Sequence, residues 1–282
     1  MDIVRDPKAF QETCLAWRMR GLATALVPTM GCFHAGHLAL MDFARDAADR
    51  VMVSLFVNPT QFGPDEDLAR YPRDFERDRA LAEARGMDVL FAPAPGAMYE
   101  PGFATFVEVP ELARGLCGRS RPGHFRGVAT VVAKLLQLAL PRLAVFGEKD
   151  WQQLAIIRRM VRDLGMPVRI EGRPIVREPD GLALSSRNVN LTAAERGIAP
   201  AIHAGLIEAR RRAAAGQREA KALAAWLEGF YCERMPAAAP DYVEIVDPER
   251  LSSVERIEGP ALLAVAVKMS KARLIDNILL GV

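Results

Sequence analysis

Short apolar runs alternate with amphipathic stretches through the first two thirds of this 282-residue chain, and this alternation limits the possible folds more than any other feature. Strands buried on both faces of a parallel sheet have such continuous apolar runs, and helices must connect them. We therefore predict a doubly wound α/β domain with a parallel sheet. Its predicted strands are Leu22–Val27, Val51–Val57, Asp88–Phe91 and Leu143–Phe146, and its predicted helices are Leu38–Arg50, Arg73–Arg85, His124–Leu140 and Asp150–Leu164.

The C-terminal third has a different pattern, which begins near Pro174. The turn sequence Glu-Pro-Asp-Gly at residues 178–181 lies between two short extended pieces and predicts a hairpin over Pro174–Ser185. Thr192 and Glu195 have the spacing of a capping box, which predicts the start of a long helix. A further helix at Glu219–Arg234 and strands at Tyr242–Val246 and Leu262–Val267 follow. We predict a Rossmann-like domain at residues 1–175 and a smaller α+β domain at 176–282.

Composition and charge exclude several classes of protein. The formal net charge is only +2, so there is no general electrostatic reason to expect a nucleic-acid partner. The most apolar segment, Val128–Leu140, contains Lys134 and is shorter than the roughly 20 residues of a membrane span. The N-terminus does not have the pattern of a signal peptide, and the four cysteines lack zinc or redox spacing. We expect a cytoplasmic protein without nucleic-acid or membrane partners.

Two of the four histidines lie directly after the first predicted strand. His34 and His37 flank Gly36 at the entry to the first predicted helix. Ligands of open α/β sheets bind at such strand ends, and a helix N-terminus offers N–H groups to phosphate. Gly36 places no side chain in the way of a nucleotide. The pattern indicates nucleotide binding more than the structural role that a lone histidine usually has.

The His-Ala-Gly-His sequence resembles the phosphate-binding signature of nucleotidyltransferases related to the class I aminoacyl-tRNA synthetases. Within that group, Pro-Thr-Met-Gly at residues 28–31 resembles the pantothenate synthetase (pantoate–β-alanine ligase) family. Four further segments match this family in order, and the resemblance continues to residues 273–277. These segments are 56–63 (Phe-Val-Asn-Pro-Thr-Gln-Phe-Gly), 71–74 (Tyr-Pro-Arg-Asp), 146–153 (Phe-Gly-Glu-Lys-Asp-Trp-Gln-Gln) and 184–188 (Leu-Ser-Ser-Arg-Asn).

The resemblance implies an ATP-dependent ligase of coenzyme A biosynthesis. ATP and (R)-pantoate would give pantoyl adenylate, an acyl adenylate, and pyrophosphate, and the amine of β-alanine would then displace AMP to give pantothenate. The resemblance also implies a homodimer, with ATP and pantoate bound by residues 1–175 and a lid formed by residues 176–282. ATP chemistry implies magnesium (Mg²⁺) held mainly by phosphates and water, so we name no metal-ligating residue.

The resemblance assigns most candidate residues to ATP. His37, His34 and Lys149 are the expected catalytic residues, and we expect His37 to hydrogen-bond the phosphates more than to act as an acid, because magnesium-bound pyrophosphate already leaves well. Val176 is expected to contact adenine through its backbone. The implied ATP-binding residues are Met30, Gly31, Cys32, Phe33, His34, Ala35, Gly36, His37, Gly147, Glu148, Lys149, Asp150, Val176, Leu184, Ser185, Ser186 and Arg187.

The residue types suit these roles. Adenylation brings a carboxylate beside a triphosphate, so the site must supply positive charge and directed donors. Lys149 follows a predicted strand end and offers a point charge to the phosphates. Asp150 accepts hydrogen bonds, which suits ribose hydroxyls and equally suits a helix N-cap. Ser185, Ser186 and Arg187 match triphosphate oxygens, with a plain polar loop as the alternative.

Two glutamines are the candidates for pantoate. A neutral amide donates to a carboxylate or hydroxyl oxygen without holding the nucleophile too tightly to attack. By resemblance Gln61 and Gln153 bind pantoate, and Gln61 also contacts β-alanine. We expect Asn58, Tyr71 and the loop His124–Gly127 to line the same cleft.

Some residues depart from the family or imitate another one. Cys32 and Phe33 replace the more usual Ala-Leu, and Trp151 replaces the more usual Tyr, which affects only the expected shape of the pocket. Lys-Met-Ser-Lys at residues 268–271 imitates the second signature of tRNA synthetases. We expect the loop at 185–188 to have that role instead, because 268–271 lies between a predicted strand and the C-terminal segment of the family.

Two alternative functions compete with a pantoate ligase. Another nucleotidyltransferase with the same histidine signature would act on an alcohol phosphate and release pyrophosphate without needing an amine. A non-catalytic RNA-binding module derived from a synthetase would bind RNA without ATP. The near-neutral charge and the contexts of Gln61 and Gln153 favour the ligase.

Overall fold

The computed structural model describes residues 1–64 and 66–281. The chain divides into two compact units. The N-terminal unit contains Met1–Glu111, Arg121–Glu148 and Ile156–Pro174. The C-terminal unit contains Leu112–Ser120, Lys149–Ala155 and the segment from Ile175 onward. Two short segments that precede Ile175 in the chain are therefore part of the C-terminal unit.

Strands and helices alternate along most of the chain. The strands are β1 (Asp2–Val4), β2 (Thr24–Thr29), β3 (Arg50–Leu55), β4 (Val89–Phe91), β5 (Leu143–Gly147), β6 (Arg169–Arg173), β7 (Ala239–Val246), β8 (Ala261–Lys268) and β9 (Arg273–Leu280). The helices are α1 (Pro7–Met19), α2 (Ala35–Ala47), α3 (Phe75–Ala84), α4 (Pro95–Met98), α5 (Cys117–Ser120), α6 (His124–Ala139), α7 (Trp151–Asp163), α8 (Ala193–Ile198), α9 (Ala201–Ala214) and α10 (Ala220–Arg234). Short 3₁₀ turns occur at Pro59–Gln61, Asp67–Arg70, Glu148–Asp150 and Ser186–Asn190. Within the described ranges, no helix is both long and apolar enough to cross a bilayer.

A six-stranded parallel sheet forms the centre of the N-terminal unit, in the order β1-β4-β3-β2-β5-β6. Ala25 of β2 pairs with Val51 of β3 on one side and with Leu143 of β5 on the other. The chain proceeds from β2 toward one edge of the sheet and from β5 toward the other. The carboxyl ends of β2 and β5 therefore flank the switch point at which ligands bind in such sheets.

Helices cover both faces of this sheet because side chains alternate along each strand. Val27 and Val53 face α2, whose Met41 belongs to the same buried cluster. Met52 points to the opposite face, where its Sδ lies 3.1 Å from the Cys14 Sγ of α1. On this face Phe10 of α1 also stacks on Phe91 of β4, with ring centroids 4.1 Å apart. The sheet is thus buried on both sides, as its continuous apolar strands predict.

The C-terminal unit is built on a three-stranded antiparallel sheet with the order β7-β8-β9. Helices α9 and α10 share one buried apolar cluster with this sheet. Tyr231 of α10 is fully buried, and its hydroxyl donates to the Ile202 carbonyl of α9 over 2.8 Å. The central members of the cluster are Ile202, Leu206, Leu223, Leu227, Leu263, Val265 and Val267.

The predicted fold class is confirmed, but one predicted helix is wrong. The Thr192 capping box forms, with the Glu195 N–H donating to Thr192 Oγ1 over 3.2 Å. The helix that it opens ends at Ile198, and a separate helix starts after Pro200, because proline has no N–H to continue the hydrogen-bond ladder. Strand β6 was not predicted because Arg-Ile-Glu-Gly-Arg is too polar to resemble a buried strand, and β6 lies at the sheet edge.

Candidate active site

The loop after β2 is held by a buried carboxylate from α3. The side chain of Asp78 is 1% exposed and accepts from the N–H groups of Cys32 (2.6 Å) and Phe33 (2.7 Å). Gly31 and Cys32 have φ values of +88° and +53°, and a Cβ on Gly31 would lie 3.0 Å from Asp78 Oδ2. Glycine at position 31 therefore accommodates both the left-handed backbone conformation and the close approach of the Asp78 carboxylate. The N–H groups of Cys32 and Phe33 are directed to Asp78 rather than to a ligand.

Asp78 is a functional candidate that sequence reasoning missed. Burial raises the pKa of its carboxyl, and the two N–H groups and Arg77 oppose that rise. Nothing in the sequence near Asp78 indicates a partner 46 residues earlier. The one available signal was Gly31, since a glycine after a strand often marks a close approach of two chain segments.

We predict that Asp78→Asn disturbs the loop, because the new amide group directs N–H toward one of two backbone N–H groups. The free energy of unfolding should fall by about 1–3 kcal/mol. Adenylation should slow by roughly 10- to 100-fold, because small misplacements of catalytic groups have such effects. Thermal unfolding and pyrophosphate exchange would measure the two changes. Asp74→Asn is the matched control, because Asp74 is an exposed N-cap of the same helix and asparagine caps equally well. Equal activity of the two variants would contradict the prediction.

The two histidines of the loop contact each other at the start of α2. His34 is the N-cap residue, and its Nδ1 accepts from the Gly36 N–H over 3.2 Å. His37 Nδ1 accepts from the His34 N–H over 3.4 Å, and the two ring centroids are 4.1 Å apart. An imidazole whose Nδ1 accepts a hydrogen bond has its proton on Nε2 when it is neutral. Both rings are therefore oriented as Nε2–H donors.

The other parts of the predicted ATP loop have distinct environments. The Phe33 side chain is fully buried in the core of the N-terminal unit. Met30 and Cys32 are half-buried, Ala35 is exposed, and Gly36 lies in the first turn of α2. Phe33 therefore contributes packing, whereas Met30 remains accessible beside Gln61, whose Nε2 lies 3.2 Å from Met30 Sδ.

Gln61 ends the 3₁₀ turn after β3 and is 8% exposed. Its Oε1 accepts from Asn58 Nδ2 over 3.1 Å, and its carbonyl lies 2.8 Å from His124 Nδ1. Arg121 lies 2.9 Å from His124 Nε2 and forms a bidentate ion pair with Glu66 at 2.7 and 2.5 Å. The structure thus brings Met30, Asn58, Gln61 and His124 together within the N-terminal unit.

Lys149 belongs to the C-terminal unit, in the 3₁₀ turn that follows β5. Gly147 ends β5, Glu148 is half-buried and Asp150 is exposed. Lys149 Nζ lies 3.9 Å from Asp150 Oδ2, and its side chain is 20% exposed. The backbone of Lys149 is held by β9, because its carbonyl accepts from Asn277 Nδ2 over 3.0 Å.

Strand β9 also holds the predicted hairpin. Asp276 forms a bidentate ion pair with Arg177 at 2.6 and 2.9 Å, and the Leu184 N–H donates to the Val176 carbonyl over 3.0 Å. Arg177 and Ala183 form an antiparallel bridge, so the hairpin prediction is confirmed. The adjacent residues Asp276 and Asn277 therefore connect two segments with candidate ATP-binding residues to the same strand. Sequence reasoning noticed this segment only as a family motif.

The loop after the hairpin forms its own cap. Ser185 Oγ accepts from the Arg187 N–H over 3.2 Å at the start of the 3₁₀ turn Ser186–Asn190. Leu184, Ser185, Ser186 and Arg187 are all half-buried. Asn188 donates to the Ala183 carbonyl over 3.1 Å, which ties the turn back to the hairpin.

The structure distinguishes the neighbouring residues Gln152 and Gln153. Gln152 is 6% exposed and satisfies three backbone groups: it accepts from the Cys117 N–H and donates to the carbonyls of Leu112 and Gly115. Gln153 is half-buried on α7. Gln152 thus has a structural role, which leaves Gln153 as the candidate ligand. Trp151 replaces the tyrosine that is more usual in the family. Its indole donates to the Pro248 carbonyl over 2.8 Å, and this hydrogen bond holds the ring within the C-terminal unit.

The stretch Lys268–Lys271 begins with the last residue of β8 and continues into the turn before β9. Lys268 Nζ lies 2.5 Å from Asp241 Oδ1, and the Ser270 N–H donates to Glu195 Oε1 over 2.6 Å. Asp241 and Glu195 both belong to the C-terminal unit. These two contacts indicate that Lys268 and Ser270 stabilise the β8–β9 hairpin. Over residues 1–64 and 66–281, no cluster of three or more His, Cys, Asp or Glu side chains has the arrangement of a metal site.

Comparisons with known proteins agree with the motifs. The family model of pantoate–β-alanine ligases matches residues 2–279. A pantothenate synthetase of Nitratidesulfovibrio vulgaris strain Miyazaki F is 60% identical over 281 residues, which cover 100% of this chain and 99% of the relative.

Solved structures show the same similarity. Pantothenate synthetase from Thermus thermophilus has a TM-score of 0.91 at 46% identity, with 99% of each chain covered. Pantoate–β-alanine ligase from Francisella tularensis, in complex with β-γ ATP and β-alanine, has a TM-score of 0.80 at 33% identity, with 99% of this chain and 97% of that chain covered. The resemblance inferred from the motifs is confirmed. Because relatives match along its whole length, the chain belongs to the pantoate–β-alanine ligase family, a family of ligases.

Proposed function

We propose that this protein condenses (R)-pantoate with β-alanine to pantothenate at the expense of ATP, through pantoyl adenylate. The observation that carries the proposal is the pair of imidazoles at the N-terminus of α2, both oriented as Nε2–H donors at a strand end of the parallel sheet. Phosphate oxygens are the ligands that such donors at a helix N-terminus suit. Family membership supports the choice of substrates, as does the binding of β-γ ATP and β-alanine by the Francisella tularensis relative.

In the first step, a pantoate carboxylate oxygen attacks the α-phosphorus and pyrophosphate leaves. His34 and His37 donate hydrogen bonds to phosphate oxygens, and these bonds strengthen as charge develops in the transition state. Lys149 supplies a positive charge to the same oxygens. Neither histidine needs to transfer a proton, because their Nε2–H groups act as donors throughout.

In the second step, the β-alanine amine attacks the acyl carbonyl, AMP leaves and the amine loses a proton. Gln61 and Gln153 hold pantoate through both steps, and Gln61 also contacts β-alanine. The ATP-binding residues proposed from the sequence remain candidates, with Val176 at the adenine and residues 184–187 at the phosphates. Cys32 and Phe33, whose N–H groups bond Asp78, would shape the loop rather than donate to phosphate. The division into a binding domain at 1–175 and a lid domain at 176–282 remains a prediction.

An ATP-using ligase requires a divalent metal, and we propose Mg²⁺. The metal would neutralise phosphate charge, held mainly by the phosphates and water. The site residues fit this arrangement, because His34 and His37 direct N–H donors rather than lone pairs toward the ligand.

We also propose a homodimer in the cytoplasm. The four free cysteines favour a reducing compartment, which supports the location. Family membership supports the dimer, and light scattering on the purified protein tests it, with a mass near 31 kDa contradicting it.

The activity test measures AMP formed from ATP with pantoate and β-alanine, each omitted in turn. We expect AMP only when both are present, and pantoate-dependent exchange of pyrophosphate into ATP without β-alanine. AMP formation that is indifferent to β-alanine, or no AMP at all, would overturn the proposal. Pyrophosphate release with an alcohol phosphate would favour another nucleotidyltransferase.

A further inference from the structure

A chain of three polar side chains leads to Gln61 within the N-terminal unit. The Tyr99 hydroxyl donates to Asn58 Oδ1 over 2.8 Å, and Asn58 Nδ2 donates to Gln61 Oε1 over 3.1 Å. Asn58 is 1% exposed and Gln61 is 8% exposed. Tyr99 directly follows α4, and neither the motifs nor the family resemblance singled it out. Its hydroxyl is thus two hydrogen bonds away from a candidate pantoate ligand.

The amide of Asn58 has only one satisfied orientation. Its oxygen accepts from the hydroxyls of Tyr99 and Thr60, the latter over 2.9 Å. Its nitrogen donates to the Gly127 carbonyl over 3.1 Å as well as to Gln61. A flipped amide would direct its oxygen at the Gly127 carbonyl, which can only accept. It would also direct an N–H group at the Thr60 N–H, which donates to Asn58 Oδ1 over 3.4 Å and cannot accept. In a buried position such a mismatch is unfavourable, so Asn58 is locked.

A locked Asn58 also orients Gln61. Because Gln61 Oε1 is directed at Asn58, its Nε2 points the other way, where it lies 3.2 Å from Met30 Sδ. A thioether is a weak acceptor, which a stronger one readily replaces. Gln61 therefore presents N–H groups, and not its oxygen, to a ligand.

We propose that Tyr99 is a positioning residue, which acts through Asn58 to make the Gln61 part of the pantoate site a donor-only site. This inference rests on the proposed function. Such a site accepts a carboxylate or hydroxyl oxygen and disfavours a ligand group that can only donate. It would favour pantoate over its carboxamide analogue, because both oxygens of a carboxylate accept, whereas the carboxamide can accept only if its carbonyl, and not its NH₂, faces Gln61.

Tyr99→Phe tests the proposal, because it removes the hydroxyl and keeps the ring against Phe103 and Lys134. We expect KM for pantoate to rise roughly 5- to 30-fold, as for the loss of a buried hydrogen bond, while KM for ATP changes little. The matched control is Tyr231→Phe, which removes a hydroxyl that bonds the Ile202 carbonyl in the other unit. That variant should have a lower Tm and an unchanged KM for pantoate.

Asn58→Asp is the second variant. Aspartate cannot donate to Gln61, so Gln61 should turn its amide and present Oε1 to the ligand. The Ki of pantoamide divided by the KM of pantoate should then fall at least tenfold relative to wild type.

Three results would overturn the positioning role of Tyr99. These are an unchanged KM for pantoate in Tyr99→Phe, a parallel rise in KM for pantoate and ATP with a lower Tm, and an unchanged ratio in Asn58→Asp. A wild-type protein that forms no pantoate-dependent AMP would instead overturn the proposed function, so the two failures are distinguishable.

Discussion

Replacing His37 with alanine is expected to slow pantoate-dependent pyrophosphate exchange by about 10²- to 10³-fold, the usual effect of removing one donor to a developing charge. His37 lies in the first turn of α2, and its Nδ1 accepts from the His34 N–H. The substitution therefore removes a proposed phosphate donor together with the hydrogen bond from the His34 N–H to His37 Nδ1. The protein should still fold, because loss of a cap interaction costs only about 1 kcal/mol. Exchange kinetics and thermal unfolding measure the two effects separately.

His203→Gln is the control for His37→Ala. His203 is a histidine of the C-terminal unit that is not a candidate ligand residue, and its partial burial lowers the pKa of its ring, which favours the neutral form. Glutamine retains a neutral polar group, so the exchange rate should stay near that of wild type. Exchange that survives His37→Ala at the wild-type rate would contradict the assignment of His37 to the phosphates.

Gly127→Ala is expected to raise KM for pantoate by roughly 10- to 100-fold, because it displaces the turn that carries Gln61. A Cβ on Gly127 would lie 2.3 Å from the Thr60 carbonyl oxygen and 2.6 Å from the Gln61 backbone nitrogen. Because both are backbone atoms, no side-chain rotation can relieve these close contacts. The turn must shift relative to α6, which also weakens the bond from Asn58 to the Gly127 carbonyl. The free energy of unfolding should fall by about 1–3 kcal/mol, as for other overpacked sites.

Two other helical glycines are matched controls for Gly127→Ala. Gly229 in α10 has open space where a Cβ would lie, so Gly229→Ala should stabilise the protein by about 0.5–1 kcal/mol and leave activity unchanged. Gly205 in α9 would place its Cβ 2.7 Å from Leu227 and Tyr231 side-chain atoms. Gly205→Ala should therefore lower Tm without changing KM for pantoate. Gly127→Ala could instead lower Tm and leave KM for pantoate unchanged, as is expected for Gly205→Ala. That result would contradict the idea that the 3₁₀ turn ending at Gln61 positions this residue for pantoate.

Elements with a strong local pattern were predictable from the sequence. The capping box at Thr192, the turn at residues 178–181 and the strand before His34 all depend on neighbouring residues. The helix after Thr192 was predicted too long because the capping signal gives a start and no end, and Pro200 decides the end. Strand β9 was recognised as a family segment but not as a strand.

The sequence was sufficient for the fold class, the family and the pair of histidines, because apolar periodicity and short motifs are properties of adjacent residues. The contacts that hold the site residues in place depended on the tertiary structure. Asp78 reaches Cys32 across 46 positions, Asn277 reaches Lys149 across 128, and Tyr99 reaches Asn58 across 41. A hydrogen bond between distant segments has no local pattern, since only the packing of sheet and helices brings its donor and acceptor within about 3 Å. The residue types of the candidate site could therefore be predicted from the sequence, whereas the orientation of their side chains depended on the tertiary structure.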